Sequence, residues 1–206
     1  MRKVPVTCCL VFATGLEASP FLKGLGLKAL RGCPFPAYRK GKLGAVICGI
    51  GKANAAMATA WACAFFSPRG LVNLGAAGSL TRRLKPGDML QVTKAVEADR
   101  PGLRTGRPHE HRPDTLRGFK GAVVATADKP VLRPADREKL ARLAALADME
   151  SAAFIQTCRA FKRKCYLFKF VTDGPDNPAS SDILANIRKY RSAFSGFVSS
   201  SVLPRL

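Results

Sequence analysis

Two kinds of apolar segment alternate along the chain. A continuous apolar run, such as residues 4–13, is typical of a strand that is buried on both faces of a sheet, and the short segment 71–74 is interpreted as a central strand. Longer segments, such as 53–66, are apolar nearly all round and predict an internal helix that packs closely on the sheet. The pattern predicts strands over residues 4–13, 37–39 (at an edge), 44–48, 71–74, 89–92, 122–126 and 166–171. It predicts helices over residues 18–30, 53–66 and 134–146, a helix that begins at 150, and a final helix from 180 or 181 to about 198.

Strands that alternate with helices predict an α/β protein. We expect a single-domain three-layer α/β/α sandwich with a mixed, largely parallel central sheet, spanning residues 1–206. The chain has 206 residues and 47% hydrophobic content, which suffices for one core. Residues 97–118 are rich in Pro, Gly and Arg and are predicted to form a loop that is either functional or partly disordered. Ser180 or Ser181 is the expected cap of the final helix.

The N-terminus and the cysteines indicate a cytoplasmic protein. No apolar run approaches the roughly 20 residues that span a bilayer. A basic start and an apolar run resemble a signal peptide, but the run continues into residues 13–17 and is interpreted as a first buried strand. The seven cysteines are odd in number, lack a Cys-x-x-Cys pair and mostly lie in apolar segments, which favours reduced thiols. His109 and His111 are assigned to a solvated loop, and neither a metal nor a cofactor is expected.

The charge balance raises the possibility of a nucleic-acid partner. Lys and Arg number 34 against 14 Asp and Glu, a formal charge of +20. A chain this basic can bind phosphates by charge alone. The basic residues are scattered, however, and neither an aromatic single-strand platform nor a helix-turn-helix pattern accompanies them. Nucleic acid is therefore not the expected partner, and the charge is interpreted as a solubility trait that also favours an anionic substrate by steering.

Three acidic residues lie where predicted strands end or just after, and ligand sites of α/β sheets lie at such ends. They are Glu17, Glu150 and Asp173. Glu150 begins a helix whose apolar spacing predicts burial, so its carboxylate requires either a structural role at the helix start or a polar ligand. Gly-rich turns at 49–51 and 75–78 also follow predicted strands, and they let a planar ligand approach the backbone.

The combination of motifs resembles the purine nucleoside phosphorylase and uridine phosphorylase superfamily. It is most similar to the 5′-methylthioadenosine/S-adenosylhomocysteine nucleosidase branch and to the (aminodeoxy)futalosine hydrolases. The segments that carry the resemblance are 48–56 (CGIGKANAA), 72–80 (VNLGAAGSL), 86–88 (PGD), 148–153 (DMESAA) and 171–173 (VTD). They occur in the family's order and at roughly its spacing.

The resemblance implies hydrolysis of the N-glycosidic bond of a 5′-substituted adenosine, with release of adenine. Glu17 is then the base that activates water, and Asp173 is the acid that protonates purine N7. Glu150 binds the ribose hydroxyls above Met149, and the sugar and base pocket is lined by Ile50, Gly75, Ala76, Ala77 and Gly78. The resemblance also implies a homodimer.

Two other functions stay open. A phosphate-dependent nucleoside phosphorylase is the first, although the segment around Glu17 lacks the arginine that phosphorylases carry there. A catalytically degenerate polyanion-binding protein is the second. The chain departs from the family at Ala76, Thr172 and Lys169, and at Pro130, where the family stacks an aromatic side chain on the purine. Pro130 predicts a different base pocket, and the basic segment 100–117 suits a carboxylate-bearing 5′ group.

Overall fold

The computed structural model describes residues 4–176 and 180–206. Arg2 and Lys3, the basic start of the chain, lie outside the described residues, as do the side chains of Ser180 and Ser181, the predicted helix cap. The strands are β1 (Cys8–Phe12), β2 (Lys28–Leu30), β3 (Ala37–Lys40), β4 (Leu43–Ile47), β5 (Gly70–Ser79), β6 (Met89–Pro101), β7 (Pro108–His111), β8 (Gly121–Thr126), β9 (Leu146–Asp148) and β10 (Lys164–Asp173). The helices are α1 (Gly15–Gly24), α2 (Lys52–Phe65), α3 (Pro134–Ala141), α4 (Ser151–Ala160) and α5 (Ser180–Phe197), followed by a π-helical turn, Val198–Val202, and a 3₁₀ turn, Leu203–Arg205.

The strands form one mixed sheet between two helical layers, which confirms the predicted α/β class. Strands β4, β1, β5 and β10 run parallel, whereas β2, β3, β7 and β9 contribute antiparallel pairs. Helices α2 and α4 cover one face with buried alanine, cysteine and phenylalanine side chains. Helices α1 and α5 and the π-helical turn cover the other face.

Part of the sheet closes on itself around β5. This strand pairs with β10 along most of its length and with β1 over its first four residues, Gly70 to Asn73, and its last residues also pair with β9. The pairs β10–β6, β6–β8 and β8–β9 complete the circuit back to β5. The ends of β5, β9 and β10 are therefore held together at one point of the molecule.

Two predicted helices are too long. The helix predicted over 18–30 ends at Gly24, because Gly26 takes a positive φ of 64° and turns the chain into β2. The helix predicted over 134–146 ends at Ala141, and Leu146–Asp148 forms β9, which pairs with β5 and β8. Residues 146–148 are all buried, and three buried residues in a row are compatible with either a strand or a helix. Their hydrogen bonding to β5 and β8 is what makes them a strand.

Other boundaries also differ from the predictions. Residues 75–78 are not a turn, because β5 continues through them to Ser79. The predicted loop 97–118 is wrong in part, since β6 runs to Pro101 and β7 contains both His109 and His111. Helix α2 is not wholly internal, because Met57 exposes 54% of its surface.

None of the helices in the described ranges combines the length and apolar character that a membrane crossing requires.

Candidate active site

A cavity of about 190 Å³ opens where β5, β9 and β10 end. Glu17, Glu150 and Asp173 all line it, although they come from three distant segments of the chain. The predicted binding residues Ile50, Ala76, Ala77, Gly78 and Met149 line the same cavity. Gly75 lies directly behind Glu17 rather than on the wall.

Glu17 is fixed by the start of α1 and by β5. One carboxylate oxygen, Oε2, accepts from the backbone N–H of Thr14 at 3.0 Å, and the backbone N–H of Glu17 donates to the Thr14 hydroxyl oxygen at 3.3 Å, which together form a capping box at the N-terminus of the helix. The Thr14 hydroxyl also lies 2.6 Å from Oε2 and donates to it. The other oxygen, Oε1, accepts from the backbone N–H of Ala76 at 2.8 Å. The carboxylate is thus immobilised at the cavity wall.

Two glycines of β5 make room for the acids. A Cβ on Gly75 would lie 2.7 Å from Glu17 Oε1, and one on Gly78 would lie 3.0 Å from Asp173 Oδ2. The space that the sequence assigned to a planar ligand is therefore occupied in part by the two carboxylates. The glycines are needed for the acids to approach the strand.

Glu150 is the N-cap residue of α4 and is 5% exposed. Its Oε1 accepts from the backbone N–H of Gly51 at 3.0 Å, at the start of α2. Burial raises the pKa of Glu150 to about 7; the Lys169 ammonium opposes this shift and the Asp148 carboxylate adds to it. The predicted buried carboxylate at the start of a helix is therefore found, and it faces the cavity.

A buried ion pair lies beneath Glu150. Lys169 Nζ is 2.9 Å from Asp148 Oδ2, and both side chains are almost fully buried. Asp148 also accepts from the Thr126 hydroxyl at 2.8 Å and from the Ser151 hydroxyl at 2.5 Å. Burial would lower the pKa of Lys169, but the carboxylates of Asp148 and Glu150 outweigh it and raise the pKa.

Asp173 ends β10 and pairs with Arg137 of α3. Arg137 Nη2 donates to Asp173 Oδ2, and Nη1 donates to the carbonyl of Ser79 at 2.9 Å. The Thr172 hydroxyl donates to the other oxygen of Asp173 at 2.8 Å. Arg137 was not identified from the sequence, because its helix carries no recognisable motif. Asp148 lies in the motif segment 148–153, but its ion pair with Lys169 was not predicted.

Most of the remaining wall is apolar. It comes from the segment that follows β8 and from α5, and its residues are Pro130, Val131, Leu132, Ile183 and Ile187, together with the charged Lys129. Pro130 is thus a wall residue, as the sequence indicated. An apolar wall opposite a set of acids suits a planar ligand with polar edges.

Glu150→Gln is expected to change how stability depends on pH. Because folded Glu150 keeps its proton to a higher pH than an unfolded glutamate, stability falls as pH rises from about 4.5 to about 7, by up to about 3 kcal/mol. Glutamine is always neutral, so the variant should match the wild type near pH 4, below both pKa values, and exceed it near pH 8 in urea denaturation. Glu138→Gln, on the exposed side of α3, is the control and should change neither value. An equal difference at both pH values would contradict the assignment.

Comparison with known proteins agrees with this geometry. The phosphorylase superfamily model matches residues 35–202. The 5′-methylthioadenosine/S-adenosylhomocysteine nucleosidase of Buchnera aphidicola is 28% identical to this chain, and the match covers 73% of this chain and 74% of the relative. The nucleosidase of the same name from Geobacillus thermodenitrificans is also 28% identical, and that match covers 70% of this chain and 72% of the relative. A futalosine hydrolase mutant of Helicobacter pylori superposes with a TM-score of 0.86 at 20% identity, covering 98% of this chain and 100% of its own. The methylthioadenosine nucleosidase of Arabidopsis thaliana superposes with a TM-score of 0.85 at 21% identity, and the match covers 96% of this chain and 94% of the other. With the family model spanning most of its length, the chain belongs to the phosphorylase superfamily.

Proposed function

We propose that the protein is a nucleosidase that hydrolyses the N-glycosidic bond of a 5′-substituted adenosine and releases adenine. The observation that carries the proposal is the meeting of Glu17, Glu150 and Asp173 in one cavity of a phosphorylase-superfamily fold. The names of the sequence relatives, 5′-methylthioadenosine/S-adenosylhomocysteine nucleosidases, support the reaction class. We expect methylthioadenosine, S-adenosylhomocysteine or aminodeoxyfutalosine as substrate.

The proposed chemistry divides the cavity into a sugar side and a base side. Cleavage of the C1′–N9 bond passes through an oxocarbenium-like sugar and leaves an anionic purine. Glu17 takes a proton from the attacking water, and Glu150 binds the ribose hydroxyls beside Met149 as positive charge develops. Asp173 binds the base on the opposite side.

Hydrolysis is favoured over phosphorolysis by the charges of the cavity. The cationic residues among the described lining residues are Lys129 and Arg137. Arg137 is paired with Asp173, and the partners of Glu17 are Thr14 and Ala76. A phosphate ion would require cations or free N–H groups beside Glu17, so water is the better nucleophile.

Product analysis tests the proposal. The purified protein is incubated with methylthioadenosine, S-adenosylhomocysteine, aminodeoxyfutalosine and adenosine, each with and without phosphate. We expect free adenine without phosphate, fastest with a 5′-substituted substrate. A sugar 1-phosphate formed only with phosphate would make the protein a phosphorylase. No turnover, together with salt-dependent binding of random DNA, would favour the polyanion-binding alternative.

We also propose a homodimer in the cytoplasm. Ile50 lines the cavity just before α2 begins, and Met57 lies on α2. Each of the two residues exposes 54% of its surface. We propose that these two exposed apolar side chains belong to the subunit interface. The seven cysteines are all free, which fits a reducing compartment. Sedimentation velocity distinguishes the dimer from a monomer.

A further inference from the structure

Lys52 carries the only charge in the motif segment 48–56 and is the first residue of α2. Its ammonium lies against three carboxylates, since Nζ is 3.1 Å from Glu97 Oε1, 2.6 Å from Asp99 Oδ1 and 3.5 Å from Asp128 Oδ2. The chain has only 14 acidic residues, so the meeting of three of them at one lysine is a specific arrangement. Burial would lower the pKa of Lys52, but its hydrogen bonds to Asp99 and Glu97 outweigh burial and raise the pKa.

The hydrogen bonds among Lys52, Asp99 and Asp128 form a closed ring. The ammonium of Lys52 donates to Asp99 Oδ1, and the backbone N–H of Asp128 donates to the other oxygen of Asp99, Oδ2, at 2.8 Å. The backbone N–H of Lys52 in turn donates to Asp128 Oδ1 at 2.9 Å. Each of the three residues is thus held by the other two. The ring therefore fixes where the chain lies at residue 128 relative to the start of α2.

The segment that follows the ring is a wall of the cavity. Residues 129–132 line the cavity directly after Asp128 and belong to no helix or strand. The backbone hydrogen bond found for them within the described ranges is a local one, from the N–H of Leu132 to the carbonyl of Pro130 at 3.2 Å. Their position consequently depends on what holds their two ends, which are Asp128 before them and helix α3 after them.

The start of α2 also reaches another side of the cavity. The residue before Lys52 is Gly51, whose backbone N–H donates to Glu150 Oε1 at 3.0 Å. Two consecutive residues therefore bind the carboxylate that is assigned to the ribose and, through the ring, the wall segment 129–132. Glu97 is 5% exposed and lies on β6, so the ammonium of Lys52 is anchored to the sheet as well. One helix end thus sets the separation of two surfaces of the cavity.

We propose, on the assumption that the proposed nucleosidase function holds, that Lys52 is a positioning residue for the substrate. Through Asp99 and Asp128 it holds the wall segment 129–132 at a fixed distance from Glu150, so that the nucleoside is bound in one geometry. The wall contacts the nucleoside in the same way before and during bond cleavage. Losing its position therefore weakens the binding of the substrate and of the transition state equally, which raises KM and leaves kcat nearly unchanged.

Steady-state kinetics and amide hydrogen exchange test the proposal together. Lys52→Met should raise KM for methylthioadenosine about tenfold and change kcat by less than about twofold. The peptide that contains residues 127–133 should exchange faster in this variant, because the acceptor of the Asp128 N–H is no longer held in place. Asp99→Asn should give the same two changes even if the methionine variant folds poorly. Its amide has one acceptor oxygen and cannot accept at both positions of the carboxylate.

Lys94→Met is the matched control. Lys94 lies on β6, its ammonium is 2.7 Å from Glu110 Oε1, and its side chain is 22% exposed against 15% for Lys52. This variant also loses a lysine–carboxylate pair, but Glu110 belongs to β7 rather than to the wall, so KM and the exchange of residues 127–133 should stay unchanged.

A wild-type KM in folded Lys52→Met, or unchanged exchange of residues 127–133 in both Lys52→Met and Asp99→Asn, would overturn the proposal. Absence of adenine release by the wild type would instead overturn the proposed function, and the exchange data would then decide alone whether Lys52 holds the wall.

Discussion

Glu17→Gln is expected to lower kcat for adenine release by about 10³-fold, the range of a lost general base. Glutamine has nearly the same shape, but its amide cannot take a proton from water. The measurement is steady-state turnover of the preferred 5′-substituted adenosine, with Tm recorded for each protein. The fold should persist, because the capping box and the bond from Ala76 together contribute only about 1–2 kcal/mol.

Thr14→Ala separates the structural role of Glu17 from the chemical one. The change removes the hydroxyl partner of the capping box but leaves the carboxylate in place. We expect a loss of about 1 kcal/mol in stability and a much smaller loss of rate than in Glu17→Gln. Near wild-type turnover by Glu17→Gln would mean that the glutamate only caps α1.

Lys169→Met is expected to destabilise the protein by about 3–5 kcal/mol. Lys169 is the cationic partner of Asp148, and removing it leaves a buried carboxylate with hydroxyl and backbone N–H donors but no countercharge. The loss of the neighbouring ammonium also removes an attraction that favours the ionised form of Glu150, so the pKa of Glu150 should rise further. Urea denaturation at constant pH measures the free energy of unfolding.

Lys164→Met and a double variant complete the test. Lys164 lies exposed on the same strand, so its replacement should change stability by less than about 0.5 kcal/mol. Lys169→Met combined with Asp148→Asn should recover part of the loss, because the buried negative charge is then removed as well. A double variant no more stable than Lys169→Met would show that packing, not the countercharge, accounts for the effect.

The order of elements was predictable because most of them carry a clear hydrophobic period. The three acids were also predictable, since the chain places each beside the end of a strand or the start of a helix. The errors occurred where pairing decides the structure. Strand β9 has three residues with no period of its own, and the outer half of β6 is polar and is held by β7 and β8.

The ion pairs of the site carry no local signal. Arg137 and Asp173 are 36 positions apart, and Asp148 and Lys169 belong to different strands. A sequence shows only that each residue is charged, and most charged residues of a polar helix such as α3 face water. Which of them turns inward depends on how the closed part of the sheet brings β5, β9 and β10 together.

Strand β5 fixes the spacing of the two acids that act on opposite ends of the proposed substrate. Glu17 lies against Gly75 and Asp173 against Gly78, and three residues of extended strand span about 10 Å. A single rigid strand therefore sets the distance between the nucleophile side and the leaving-group side, without a hinge between them. In this chain the segments around the cavity, residues 129–132 and α5, can therefore change without altering the spacing of the two acids.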